Sequence, residues 1–193
     1  MIKFRARFVT SAAKPEDFPP PGAPELAVVG RSNVGKSSLI NAVVGQDLAR
    51  TSRTPGRTRL VNWFEVEQRF HLVDLPGYGY AEVSRDMRES WRPLIESFLG
   101  SRATLAGVLL LVDVRRGVED EELDFVPWLE ARETPFVVAL TKSDKLAKNK
   151  RMLEVTKAKH ALGLRKEPVA VSALTGDGIE ALRRALLGLV ERR

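Results

Sequence analysis

The stretch LAVVGRSNVGKSSLINAVV, residues 26–44, decides the fold. Its opening, LAVVG, reads as a strand covered on both faces, and SSLINAVV reads as a helix. Between them Gly30 to Ser37, GRSNVGKS, fits G-x-x-x-x-G-K-[ST], which average residue usage produces by chance in roughly 1% of chains this long. A strand before the pattern and a helix after it are the context it requires. Gly30, Arg31, Ser32, Asn33, Val34, Gly35, Lys36 and Ser37 are therefore expected to cradle phosphate. The glycines let backbone N–H groups converge on phosphate oxygens at a helix N-terminus, Lys36 reaches the β and γ phosphates, and the Ser37 hydroxyl ligates Mg²⁺.

Outward from this loop, apolar runs alternate with helical patterns: LVNWFEV (60–66), RFHLVDL (69–75), GVLLLVDV (107–114), PFVVAL (135–140) and PVAVSA (168–173). Only Glu67 and Gln68 separate the first two, which predicts an antiparallel hairpin at one sheet edge. The pattern indicates an α/β domain of three layers, with a six-stranded, mostly parallel sheet and helices on both faces. The last helix, Asp177 to Arg192, places Ile179, Leu182, Leu186 and Leu189 or Val190 on one face. Pro93 and Pro127 are each expected to kink or interrupt a helix. KFRARFV, near the start, is a possible edge strand, followed by the proline-rich connector KPEDFPPPGAPE. Residues 1–25 are thus expected to be an N-terminal extension and residues 26–193 a single nucleotide-binding domain.

Thr141, Lys142, Ser143 and Asp144 follow the fifth strand of this reading, where a base-recognition loop sits in such a sheet. The Asp144 carboxylate can accept from guanine N1–H and the 2-amino group, whereas adenine would leave it buried and unpaired. The stem of Lys142 can lie along the base plane. Val171, Ser172 and Ala173 close the sixth strand, where a backbone N–H can meet the guanine oxygen. Guanine motifs usually begin with Asn; the Thr141 hydroxyl is shorter but can still bridge loops. DLPGYG, residues 74–79, supplies Asp74 to order Mg²⁺, Leu75 and Pro76 along the nucleotide, and the Gly77 backbone to sense the γ-phosphate. The next residue is Tyr78, which cannot hold an attacking water as glutamine can. Of the threonines before the hairpin, Thr51, Thr54 and Thr58 all suit closure on the γ-phosphate by spacing.

In order, GRSNVGKSS, TPGRT, VNWF, DLPGYGYA, TKSDK and VSALTG, with FVTSAAKPEDFP near the start, resemble the EngB (YihA/YsxC) family of bacterial ribosome-biogenesis GTPases over nearly the whole chain. The resemblance implies a P-loop GTPase domain that binds GTP and GDP with Mg²⁺, hydrolyses GTP and acts in large ribosomal subunit assembly, with a link to cell division and septation. It assigns Mg²⁺ to Ser37 and Thr58, and makes Gly56, Arg57, Thr58, Arg59 and Leu60 part of the nucleotide contact. It also accounts for Thr141, which the family uses at this position. Asn33 matches the asparagine that ligates K⁺ in related potassium-activated GTPases, where the cation acts like an arginine finger. Catalysis is accordingly assigned to Lys36, Thr58, Asp74, Gly77 and Asn33, with turnover slow unless K⁺ or a partner assists.

Composition narrows the setting. No Cys and only two His exclude disulfides and thiolate or His-rich metal sites. No apolar run approaches a membrane span, so a cytoplasmic monomer without membrane contact is expected. The net charge is +6, and residues 142–167 carry nine Lys or Arg against three Asp or Glu while the rest balances. That stretch and the arginine-rich 50–59 segment are the candidate contacts with a large-subunit precursor of rRNA and ribosomal proteins. The alternative is a nucleotide-dependent RNA-binding or ribosome-binding module with negligible turnover.

Overall fold

Seven strands form one sheet in the order β1-β3-β4-β2-β5-β6-β7 in a computed structural model that describes residues 4–49, 60–78 and 95–192. The strands are β1 (Ala6–Ala12), β2 (Glu25–Gly30), β3 (Val61–Val66), β4 (Phe70–Asp74), β5 (Leu105–Asp113), β6 (Phe136–Thr141) and β7 (Val169–Ala170). The helices are α1 (Lys36–Val44), α2 with its described part at 95–101, α3 (Asp120–Glu130), α4 (Lys148–Ala161) and α5 (Ile179–Val190). Strand β3 runs antiparallel to both β1 and β4, and the other pairings are parallel. The α/β three-layer expectation holds.

Alternation along the central strands explains the layers. Leu26 and Val28 of β2 and Leu109 and Leu111 of β5 face α1 and α5, packing on Leu39, Ile40, Val43, Leu182 and Leu186. Ala27, Val29 and Val108 face the other way, onto Phe98 and Leu99 of α2 and Leu129 of α3. Leu110, Val112, Val138 and Leu140 meet Val126 of α3 and Ala158 of α4. Strands buried on both faces need this continuous apolarity. Ile179, Leu182, Leu186 and Leu189 are buried, as the spacing in the last helix requires.

Several details differ from the sequence reading. The sheet has seven strands, because the N-terminal segment pairs with β3 and pushes the β3–β4 hairpin one place in from the edge. Glu67 and Gln68 turn that hairpin with φ of 54° and 56°, the pair of positive values that matches strand twist. Neither residue favours that region; the Arg5 carbonyl accepts from Glu67 N–H (2.8 Å) and Arg5 N–H donates to the Glu67 carboxylate, which holds the turn. The last strand shortens to Val169–Ala170: Pro168 has no N–H to offer β6, and at the other end Ser172 N–H turns to Asp177 O (2.9 Å), off the sheet. Pro127 does not interrupt α3, which continues to Glu130. It lies one turn from the helix end, and the carbonyl it leaves without a helical donor belongs to the exposed Leu123. Pro93 lies outside the described residues.

At the amino end of β2, the buried Glu25 carboxylate accepts from Trp63 Nε1 (3.0 Å), Thr104 Oγ1 (2.8 Å) and both arms of Arg102 (2.7 Å each). A buried carboxylate so fully hydrogen-bonded tolerates burial, and stripping one charged partner leaves the other uncompensated. Arg102→Ala is expected to destabilise the fold by about 3–5 kcal/mol, read as a lower midpoint in urea denaturation.

Candidate nucleotide-binding site

The phosphate loop runs from β2 into α1, with Gly35 at the helix N-cap in the left-handed region, φ 99°. The first backbone bond into the helix is Leu39 N–H to Gly35 O (2.9 Å), so the N–H groups of the turn before it point out of the helix end. A helix N-terminus so arranged attracts anions. Lys36 is the first helical residue and its ammonium hydrogen-bonds the Asp74 carboxylate, which is buried at the end of β4. Ser37 follows it in the same turn. Ser37 and Asp74 offer hard oxygen donors suited to Mg²⁺, while no group of three or more His, Cys, Asp or Glu that could hold a metal occurs among the described residues.

The base loop grips this phosphate loop. Thr141 Oγ1 donates to Val34 O (2.7 Å), so the hydroxyl does bridge the two loops. Lys142, left-handed at φ 58°, donates from Nζ to Asn33 O (2.6 Å) and to Asp113 Oδ2 (2.9 Å). Asp113, which the sequence reading missed, closes β5 and also accepts both arms of Arg115. Burial works to raise the Asp113 pKa, but hydrogen bonds from Arg115 and Lys142 outweigh it and hold the carboxyl at about 2. Ser172 Oγ donates to Asp144 Oδ1 (2.7 Å) and thereby lowers the Asp144 pKa. Ser143 is fully buried, with its N–H on Val171 O (3.0 Å). Thr141, Lys142, Ser143, Asp144, Val171 and Ser172 thus come together as read; Ala173 begins the turn after them.

Leu75, Pro76 and Gly77 leave the end of β4 beside the phosphate loop. Tyr78 N–H donates to Gly30 O (3.3 Å), and Ser32 N–H donates to Tyr78 O (2.8 Å). A Cβ on Gly77 would lie 3.2 Å from Ser32 Cα and N, so that backbone-to-backbone approach needs glycine. Arg31 pairs with Glu119 and Glu121 at the start of α3. Asn33 is left-handed at φ 62° and exposed, and its side-chain amide makes no hydrogen bond to the described residues. Gly56, Arg57, Thr58 and Arg59, like Thr51 and Thr54, lie outside the described residues; Leu60 is exposed at the entry to β3. Asn41 was also missed: its side chain ties Asp47, Leu48 and Ala49, fixing the exit from α1. A lone helical asparagine carries no sequence signal for that role.

A family model described as "50S ribosome-binding GTPase" matches residues 25–142. The chain is 44% identical over 193 residues to the "Probable GTP-binding protein EngB" of Desulfatibacillum aliphaticivorans, covering 99% of this chain and 94% of that one. The chain belongs to the EngB family of GTP-binding proteins. Among solved structures, a probable GTP-binding protein engB superposes with a TM-score of 0.74 at 24% identity, covering 88% of this chain and all of that one. Era in complex with MgGDPNP and nucleotides 1506–1542 of 16S ribosomal RNA superposes with a TM-score of 0.68 at 23% identity, covering 86% of this chain and 56% of Era. Both structural likenesses establish the fold, a P-loop GTPase fold.

Within this EngB-family site two contacts yield direct tests. Thr141→Val keeps the shape and removes the hydroxyl, leaving the buried Val34 carbonyl without its donor; guanine nucleotide affinity is expected to fall about tenfold, one neutral hydrogen bond's worth, by fluorescent-nucleotide titration. Asp113 has a folded pKa below its ordinary 3.8, so its contribution to stability is complete above about pH 4 and is lost as pH falls towards 2. Asp113→Asn is expected to flatten the stability profile across that interval, measured by urea denaturation at stepped pH.

Proposed function

We propose that this chain is a Mg²⁺-dependent GTP switch that hydrolyses GTP slowly to GDP and phosphate and acts on a large ribosomal subunit precursor in the cytoplasm, as a monomer. The observation that carries the nucleotide reading is the double tie from the base loop to the phosphate loop through Thr141 and Lys142. It joins the loop that carries Asp144, the carboxylate that would select guanine, to the loop that would cradle phosphate. Ser37 with Thr58 would hold Mg²⁺, which offsets phosphate charge, and Asp74 would order it. Phosphoryl transfer needs positioning and charge neutralisation more than covalent help. With Tyr78 after Gly77, unassisted turnover is expected at or below roughly 10⁻³ s⁻¹.

Two aids are proposed. Asn33, exposed in the phosphate loop and with no side-chain hydrogen bond to the described residues, would ligate K⁺ beside the phosphates. GTP hydrolysis is then expected to run faster in KCl than in NaCl at equal ionic strength, and to lose that difference in Asn33→Ala. The second aid is the ribosomal partner. The family model's description supports it. So does α4, where Lys148, Lys150 and Lys157 are exposed and Ala158 is the only buried residue of the helix. No helix among the described residues is long and apolar enough to cross a membrane. Division defects would follow from failed subunit assembly.

Co-sedimentation with ribosomal subunits, in GDP and in a non-hydrolysable GTP analogue across a salt series, tests the reading. Binding to the large subunit in one nucleotide state, falling steeply with salt, is expected. Binding to neither subunit in any state refutes it, and binding without accelerated turnover would favour a pure binding module.

A further inference from the structure

Tyr78 stands where a hydrolase can keep a water-holding side chain, and its own side chain is occupied elsewhere. Its hydroxyl donates to Glu122 Oε1 on α3 (2.7 Å). Glu122 is almost completely buried, 1% exposed, and its other oxygen accepts Glu119 N–H (2.9 Å), closing a capping box at the start of α3. The ring of Tyr78 packs between the apolar clusters under α2 and α3. Burial raises the pKa of the tyrosine, and burial likewise raises that of Glu122.

The same short segment is bolted to the phosphate loop by its backbone, through the parallel bridge between Arg31 and Tyr78. Arg31 in turn is ion-paired to Glu119 and Glu121 (2.6 and 2.5 Å), one turn of α3 around Glu122. The start of α3 therefore holds both loops at once, one through a guanidinium and the other through a phenol. Gly77 lies between these anchors, with its backbone pressed on Ser32.

We infer that Glu122 is a positioning residue for the γ-phosphate: by tethering the Tyr78 hydroxyl to α3 it fixes the Gly77 N–H against the phosphate loop and keeps the phenol away from the attacking side. This rests on the GTPase reading above. A tether acting on Gly77 matters only to a nucleotide that has a γ-phosphate, because a bias between states requires a differential contact. GDP should be indifferent to it. A merely structural role for Tyr78 and Glu122 would instead alter stability and affect both nucleotides alike.

The test is titration of the full chain with Mg²⁺ and either GDP or a non-hydrolysable GTP analogue. Tyr78→Phe keeps the ring and removes the tether; it is expected to weaken the GTP analogue about tenfold, the scale of one buried hydrogen bond, and GDP by less than about twofold. Glu122→Leu, which offers the phenol no acceptor, is expected to shift the same ratio in the same direction. The double variant should be no more than about twofold weaker than the worse single one, because the same bond is lost in each. Equal losses for the two nucleotides, unchanged ratios, or losses that multiply in the double variant overturn the inference. Wild-type protein that binds GTP tightly while the variants keep its ratio sinks the tether alone, whereas wild-type protein that fails to bind GTP removes the GTPase reading and the tether with it.

Discussion

A phosphate loop has to be rigid while the N–H groups that meet the anion stay free, and this one is held largely by its carbonyls. Thr141 takes Val34 O, Lys142 takes Asn33 O, and Tyr78 N–H takes Gly30 O. The donors come from the loops after β6 and β4, so the grip exists only because both strands end at the same level as β2. Parallel pairing of β2 with β4 and β5, and of β5 with β6, sets that level. Sheet register is thus the mechanical basis of anion binding. The fold's apolar alternation matters to function chiefly by enforcing it.

What could be read in the sequence follows from how local each signal is. The strand, loop and helix at 26–44 carry their own pattern, and the base loop residues are contiguous at 141–144, so both were legible. The seventh strand was not fully legible: in ARFVTSA the exposure pattern is that of an edge, its register is broken between Phe8 and Thr10, and its partner is some fifty residues away. Pro127 misled because the propensity rule applies to helix interiors and the residue sits in a last turn. Asp113 and Glu122 were invisible for another reason. One ends an apolar strand, and the other hides in the acidic run EDEELD, where nothing but the tertiary contact distinguishes it from its neighbours.

Charge differs between neighbouring helices of one face. The first turn of α3 is acidic, carrying Asp120, Glu121 and Glu122, whereas α4 is rich in Lys and has no acidic residue in its first turn. Arg31 neutralises part of the acidic end from inside, and Lys148 and Lys150 remain in solvent on the other.

Arg183 closes the far end of α1: from α5, its guanidinium donates to Val43 O (2.7 Å) and Ala42 O (3.1 Å), beneath the ring of Phe4. The two ends of that contact lie 140 residues apart. Contacts of such separation form late, after the entropy of closing a long loop has been overcome. During synthesis the phosphate loop and α1 leave the ribosome early, with Gly45 and Asn41 closing the helix locally, and the Arg183 brace is added only once residue 183 has followed. The last brace on the helix behind the phosphate loop is thereby tied to the near-completion of the domain.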